Sequence, residues 1–230
     1  MLLQMQLTEP GSAQHMPQQR LRITEIFASL QGESSSVGWP TAFIRLTGCP
    51  LRCGYCDTSY AFKGGEWLTI AEILRQVKAI GLRHVTVTGG EPLAQQGVHA
   101  LLTRLCDLGY RVSLETSGAV DIGAVDPRVV RVVDVKTPGS REVASNLWEN
   151  LDQLRQGDQL KFVICDREDY LWSRQLVTGR QLAQRCEVLF SPAWGEVEAS
   201  ELAGWILADR LPVRFQIQLH KYLWGEQAGV

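Results

Sequence analysis

TIAEILRQVKAIGLRHVTVTGGEP, residues 69–92, is a helix followed directly by a strand. Thr69 with Glu72 three residues later forms a capping box, and Ile70, Ile73, Leu74, Val77 and Ile80 recur at helical spacing until Gly81 stops the run. His84 to Thr88 is then rich in β-branched residues, as a strand requires. The same alternation continues outward. Leu21, Ile23 and Ile26, and then Thr41 to Thr47, read as strands on the N-terminal side. Beyond Pro92, Val98 to Leu108 is helical in period and Arg111 to Glu115 alternates. Val129 to Val135, Leu160 to Ile164, Val188 to Phe190 and Arg214 to Gln218 are further short strands. Helical stretches are expected near Trp148 to Leu154, Glu168 to Arg185 and Val197 to Asp209. Such alternation specifies an α/β fold with a parallel sheet wrapped by helices. An eight-fold barrel takes about 250 residues. About six parallel strands with a reduced set of helices therefore predict a partial, open (β/α) barrel, whose chemistry collects at the C-terminal strand ends.

The composition sets outer bounds. The 230 residues carry 23 Lys plus Arg against 25 Asp plus Glu and are 45% apolar, which is ordinary for a globular protein. A net charge of -2 with both signs dispersed supplies no polybasic footprint, so neither nucleic acid nor an anionic membrane is an expected partner. The longest uncharged stretch, Pro92 to Thr103, is 12 residues and too short to span a bilayer. Residues 1–19, with five Gln, two Pro and one Gly, lack apolar periodicity and are expected to be a disordered tail. Residues 20–230 are expected to form one domain. The N-terminus has no basic run or cleavage site of a secretory signal, so a cytoplasmic location is expected. Thiols stay reduced there, which makes the six cysteines candidates for ligands or core residues rather than disulfides.

Cys49, Cys53 and Cys56 lie in one tight loop, GCPLRCGYCDT, directly after the strand at Thr41 to Thr47. A structural zinc site takes four protein ligands, and no second Cys-x-x-Cys or His pair follows. Cys106, Cys165 and Cys186 are isolated beside apolar elements and read as core thiols. Three thiolates on a four-iron cluster leave one iron open to a substrate or cofactor, unlike the usual four-thiolate arrangement.

Cys49-x-x-x-Cys53-x-Tyr55-Cys56 resembles the signature loop of the radical S-adenosylmethionine enzymes. Val85 to Pro92 resembles the glycine-rich strand end with which that family binds the methionyl amino group. Gly89 and Gly90 there admit a ligand close to the backbone, and Glu91 either accepts from the ammonium or holds the loop. Within the superfamily, Leu30-Gln31-Gly32-Glu33, Phe43 to Leu46 with Arg45, and Cys56-Asp57-Thr58 resemble the 7-carboxy-7-deazaguanine synthases. So do Glu115 to Gly118, Asp134 to Ser140, Ser191-Pro192 and Gln218 to Gly225.

The resemblance implies a 4Fe-4S cluster on Cys49, Cys53 and Cys56, S-adenosylmethionine, and magnesium held by Thr58. It also implies contraction of 6-carboxy-5,6,7,8-tetrahydropterin to 7-carboxy-7-deazaguanine with loss of ammonia. Gly89, Gly90, Glu91, Ser117, Lys136, Ser191 and Pro192 are then cofactor contacts, and Leu30, Gln31, Gly32, Glu33, Arg45 and Thr88 substrate contacts. Glu33 suits the guanidine-like pterin edge and Arg45 the substrate carboxylate. Lys136 has a second reading as the ion-pair partner of Asp134, and Glu33 and Arg45 as ordinary loop and strand charges. A flavodoxin as electron donor and a homodimer are further family expectations. One departure stands out: Ser34 occupies the position after Gln-Gly-Glu where relatives commonly have glycine. Two rival readings remain, a glycyl-radical-activating enzyme with a protein substrate and a non-catalytic zinc-binding module.

Overall fold

The computed structural model describes residues 19–225 together with Gln227 and Gly229. The expected tail lies outside the described residues except for Gln19. Nine strands form one sheet: β1 (Arg20–Leu30), β2 (Pro40–Leu46), β3 (Glu66–Thr69), β4 (His84–Gly89), β5 (Arg111–Thr116), β6 (Val130–Asp134), β7 (Gln159–Ile164), β8 (Glu187–Pro192) and β9 (Arg214–Phe215), in the order β3-β1-β2-β4-β5-β6-β7-β8-β9. From β2 through β9 every neighbouring pair is parallel, so the sheet is mostly parallel and does not close on itself. β1 pairs antiparallel with both β2 and β3. The short 31–39 connection dictates the β1–β2 direction, because a parallel crossover needs a dozen or more residues.

The helices are α1 (Ile70–Ile80), α2 (Val98–Asp107), α3 (Arg167–Gly179), α4 (Ala199–Asp209) and α5 (Leu219–Trp224). α1 begins with both halves of its capping box, between Thr69 and Glu72, and ends at Gly81 with φ of 76°. Three expectations are corrected. Trp148–Gln153 is a 3-10 turn rather than an α-helix. The stretch at Glu168 to Arg185 breaks after Gly179, where Gln181 turns left-handed. The strand expected over Arg214 to Gln218 ends at Phe215, because Gln216 to Gln218 leave the sheet to bond the loop after β1. The edge strand β3, with Trp67 54% exposed, escaped the sequence reading because it buries no alternating face.

Side chains on a strand alternate between faces. Ile44, Leu46, Val85, Val87 and Leu114 belong to one buried core with α1 and α2. Leu160, Phe162, Ile164, Val188 and Phe190 belong to a second with α3 and α4. Their neighbours Phe43, Arg45, Thr88, Glu115, Lys161 and Val163 face a cavity instead.

A buried ion pair ties β6 to the residue just before β7. Arg131, fully buried, pairs with Asp158, and its guanidinium also donates to the carbonyls of Ile122 (3.2 Å) and Gln153 (2.6 Å). Asp158→Ala leaves that charge buried without its partner, which costs about 3–5 kcal/mol. Thermal unfolding of Asp158→Ala is expected on the order of 10 °C below the parent.

Candidate active site

The cavity, about 600 Å³, lies along the cavity-facing side of the sheet near the C-terminal strand ends. Its lining includes Cys49, Cys53 and Cys56, and with them Leu30, Gln31, Gly32, Glu33, Arg45, Thr58, Thr88, Gly89, Gly90, Ser117 and Lys136. Glu91, Ser191 and Pro192 are buried but do not line it; at the end of β8 the lining residues are Ala193 and Trp194.

The cysteine loop is fastened to the glycine-rich turn by backbone. Glu91 N–H donates to the Gly48 carbonyl at 2.9 Å and Gly90 N–H to that of Leu46 at 3.2 Å. A Cβ on Gly90 would sit 2.1 Å from the Gly48 carbonyl oxygen, so the close approach that needs glycine here is the protein's own chain. Glu91 resolves between its two readings. Its carboxylate accepts from Leu93 N–H (2.9 Å), Thr116 Oγ1 (2.9 Å), Ser117 N–H (2.6 Å) and Ser117 Oγ (2.5 Å), which locks the ends of β4 and β5 together. Glu91 is a loop holder.

The three thiols are each partly exposed toward the cavity. Burial pushes the Cys49 and Cys53 thiols up, while the Lys136 ammonium pulls them the other way. Among the described residues no group of three His, Cys, Asp or Glu side chains converges tightly enough for a single metal ion, the arrangement the zinc reading needs. Three half-buried thiols around a shared cavity, faced by an ammonium, suit a cluster held by three thiolates.

In the same cavity lies a buried charge network of which the sequence announced only the Lys136–Asp134 pair. Lys161 Nζ is 2.5 Å from Glu33 and 3.9 Å from Asp134, and Lys136 Nζ is 2.9 Å from Asp134. Burial works against the Lys161 ammonium, yet Glu33, Asp134 and Glu115 hold its proton well above the usual lysine range. Lys136 behaves alike, its burial outweighed by Asp134 and Cys53. Burial would raise Glu33, but Lys161 brings it below the usual carboxylate range. Glu115 moves the other way: burial dominates, Lys161 offsets it only in part, and the Glu33 charge adds to the rise. Glu115 accepts from Gln31 Nε2 at 3.1 Å and Thr88 Oγ1 at 3.2 Å. Thus Glu33, read from sequence as free for a ligand, is already engaged by Lys161 and by Gln218 Nε2 at 2.9 Å. Arg45 spends Nε on Glu25 at 2.7 Å and stands over the rings of Phe27 and Tyr60.

The C-terminal segment closes one side. Leu219 N–H donates to the Gly32 carbonyl at 3.0 Å, and a Cβ on Gly32 would meet His220 Nδ1 at 2.1 Å. Ser34 adopts φ of 69°, a left-handed conformation that favours glycine. Serine tolerates it here because Ser34 Oγ bonds Ser36 Oγ at 2.9 Å and Ser34 N–H reaches Gln216 Oε1 at 2.9 Å. Thr58 Oγ1 donates to Asp57 Oδ1 at 2.7 Å, leaving its lone pairs free. Lys161 stayed hidden in sequence because a lone Lys on a strand carries no local pattern, and Gln218 stood in the Gln218 to Gly225 stretch without a role.

The Radical SAM superfamily profile matches residues 43–133. A 7-carboxy-7-deazaguanine synthase of Chlorobaculum tepidum is 46% identical over 211 residues, covering 90% of this chain and 96% of the relative. A synthase of the same name from Koribacter versatilis is 43% identical over 228 residues, covering 91% and 100%. The crystal structure of QueE from Escherichia coli superposes with a TM-score of 0.73 at 24% identity, over 87% of this chain and 95% of that one.

Proposed function

The chain belongs to the 7-carboxy-7-deazaguanine synthase family of radical S-adenosylmethionine enzymes, and from there we propose that its cavity contracts the ring of 6-carboxy-5,6,7,8-tetrahydropterin to 7-carboxy-7-deazaguanine with loss of ammonia. One observation carries the reading: three half-buried thiols and a buried set of carboxylates and ammoniums share one cavity, of a size that suits a small ligand beside a cofactor. A protein substrate, as in the activating-enzyme alternative, has no need of so enclosed a charge network. Cys49, Cys53 and Cys56 would hold a 4Fe-4S cluster, which would supply the one electron that splits S-adenosylmethionine into methionine and a hydrogen-abstracting 5'-deoxyadenosyl radical.

The chain's own groups orient and enclose. Gly89, Gly90, Ser117 and Lys136 line the cluster side, where S-adenosylmethionine is proposed to lie. Arg45 lines the cavity with its Nε on Glu25, and its guanidinium is proposed to receive the substrate carboxylate. Glu115 joins Glu33 as acceptor for the pterin's N–H edge, held by Gln31 and Thr88. Leu30, Gly32, Phe27 and Phe43 supply the walls. Anaerobically reconstituted protein, given reductant, S-adenosylmethionine and the carboxytetrahydropterin, is expected to release the deazapurine and ammonia. Cleavage of S-adenosylmethionine without the deazapurine would overturn the substrate assignment.

Magnesium is proposed at Thr58. Burial would raise the adjacent Asp57 carboxyl, but the Thr58 hydroxyl and then Lys221 bring it below the usual range. It stays an acceptor and turns the hydroxyl's lone pairs outward for a hard cation that keeps some waters. Thr58→Val removes that oxygen at constant shape. It should lower product formation about 100-fold through misplaced substrate and flatten the response to added magnesium, with iron content unchanged. Full activity with unaltered magnesium dependence would refute the assignment.

Residues 20–230 are proposed to act as one cytoplasmic domain, with a flavodoxin as electron donor. None of the described helices is long and apolar enough to cross a membrane. A homodimer is proposed through the C-terminal helix, where Tyr222 is 74% and Leu223 45% exposed. Sedimentation equilibrium of Tyr222→Glu against the parent tests it.

A further inference from the structure

The two peptide N–H groups on either side of Cys53 are both taken by a different part of the fold. Arg52 N–H donates to Glu142 Oε1 at 2.6 Å, and Gly54 N–H donates to the Ser140 carbonyl at 3.0 Å. Both acceptors belong to the turn that follows β6. Arg141, between them, is left-handed at φ of 65°, which reverses the chain so that the 140 carbonyl and the 142 side chain face the same loop.

The turn is itself rigidly built. Ser140, fully buried, donates from Oγ to the Thr137 carbonyl at 2.5 Å and accepts from Glu142 N–H at 3.0 Å. Asp169, buried in the first turn of α3, accepts from Thr137 Oγ1 (2.9 Å), Gly139 N–H (2.8 Å) and Cys165 N–H (3.1 Å). A Cβ on Gly139 would lie 2.5 Å from that carboxylate, so the turn and α3 interlock. The free oxygen of Glu142 accepts from Ser145 Oγ at 2.9 Å, which fixes the carboxylate's own rotamer.

We propose that Glu142 is a positioning residue for the cluster: through the Arg52 amide it sets where Cys53 stands and, with its charge, holds the cluster's reduction potential low. The potential of such a cluster follows net charge and the hydrogen bonds donated to its sulfurs. An Arg52 N–H committed to Glu142 cannot donate to the Cys53 sulfur, and a fixed carboxylate nearby adds negative charge. Both act in the same direction, against reduction, so loss of either raises the potential. A strongly reducing cluster is what one-electron cleavage of a sulfonium demands.

Two exposed-side variants separate this from mere turn stability. Glu142→Gln keeps an acceptor for Arg52 N–H and loses the charge, while Glu142→Ala loses both. In cluster-free protein, hydrogen exchange at the Arg52 amide should be roughly 10- to 100-fold faster in Glu142→Ala and nearly unchanged in Glu142→Gln. In reconstituted protein with parental iron and sulfide content, redox titration by electron paramagnetic resonance should place the midpoint above the parent in Glu142→Gln and higher still in Glu142→Ala. Iron retained by the Gln variant but lost from the Ala variant would equally support the positioning role. Parental midpoints in both variants, or a lowered melting temperature with the midpoint unmoved, would overturn it.

Discussion

A Cys53→Ala enzyme is expected to make no 5'-deoxyadenosine, whereas Cys106→Ala should cleave S-adenosylmethionine at the parental rate. Cys53 lines the cavity with Cys49 and Cys56 and sits between two amides clamped by the 140–142 turn. A three-thiolate cluster has no spare ligand, so losing one thiolate removes the site. Cys106 instead packs from α2 against the first core, where alanine leaves only a small void. Chromatography of 5'-deoxyadenosine, with iron counted per chain, reads both outcomes. Measurable 5'-deoxyadenosine from Cys53→Ala, or a dead Cys106→Ala with normal melting, would remove the three-cysteine assignment.

The cysteine spacing and the Gly-Gly-Glu-Pro turn were legible because each is local. Their chemistry depends on neighbours within a dozen residues, and a strand end presents them together. The period-two pattern also carried the inner face of the barrel: Val85 and Val87 into the core, Thr88 into the cavity. Chain direction at the edge was less legible. β1 runs antiparallel because a nine-residue loop replaces a helix, and its side chains alternate identically in either direction.

The glycines illustrate a different limit. Gly89 and Gly90 were expected to make room for a cofactor, yet Gly90 is small because the Gly48 carbonyl presses on it. Sequence shows that a Cβ is excluded and not what excludes it. Glu91 follows the same logic, since its four protein donors come from its own turn, from the last residue of β5 and from Ser117 just after it. Long-range pairing was least legible of all: Glu33 meets Lys161 across 128 residues and Gln218 across 185. No spacing rule links such positions, and the charge network exists only once the sheet curls.

Lys161→Met should therefore destabilise about as much as Asp158→Ala, and its pH dependence carries the sign. Methionine keeps the length and apolar stem of lysine while deleting the ammonium that sits 2.5 Å from Glu33 and 3.9 Å from Asp134. Asp134 keeps Lys136 at 2.9 Å, but Glu33 is left buried without its cation, which costs about 3–5 kcal/mol at neutral pH. In the parent, Glu33 has a lowered folded pKa, so its contribution is present above its ordinary value of 4.5 and is lost as pH falls through the folded pKa. Glu115, raised by burial, contributes with the opposite sign: its penalty is absent below 4.5 and grows as pH rises through its folded pKa. The two partly offset in the parent. Without Lys161 both carboxyls are raised and both penalties grow with pH. Urea unfolding of Lys161→Met should show stability recovering as pH falls from 8 toward 5, a window over which the parent keeps the Glu33 contribution intact. A variant as stable as the parent at pH 8, or one that weakens further on acidification through this window, would mean that Lys161 does not hold Glu33 ionised.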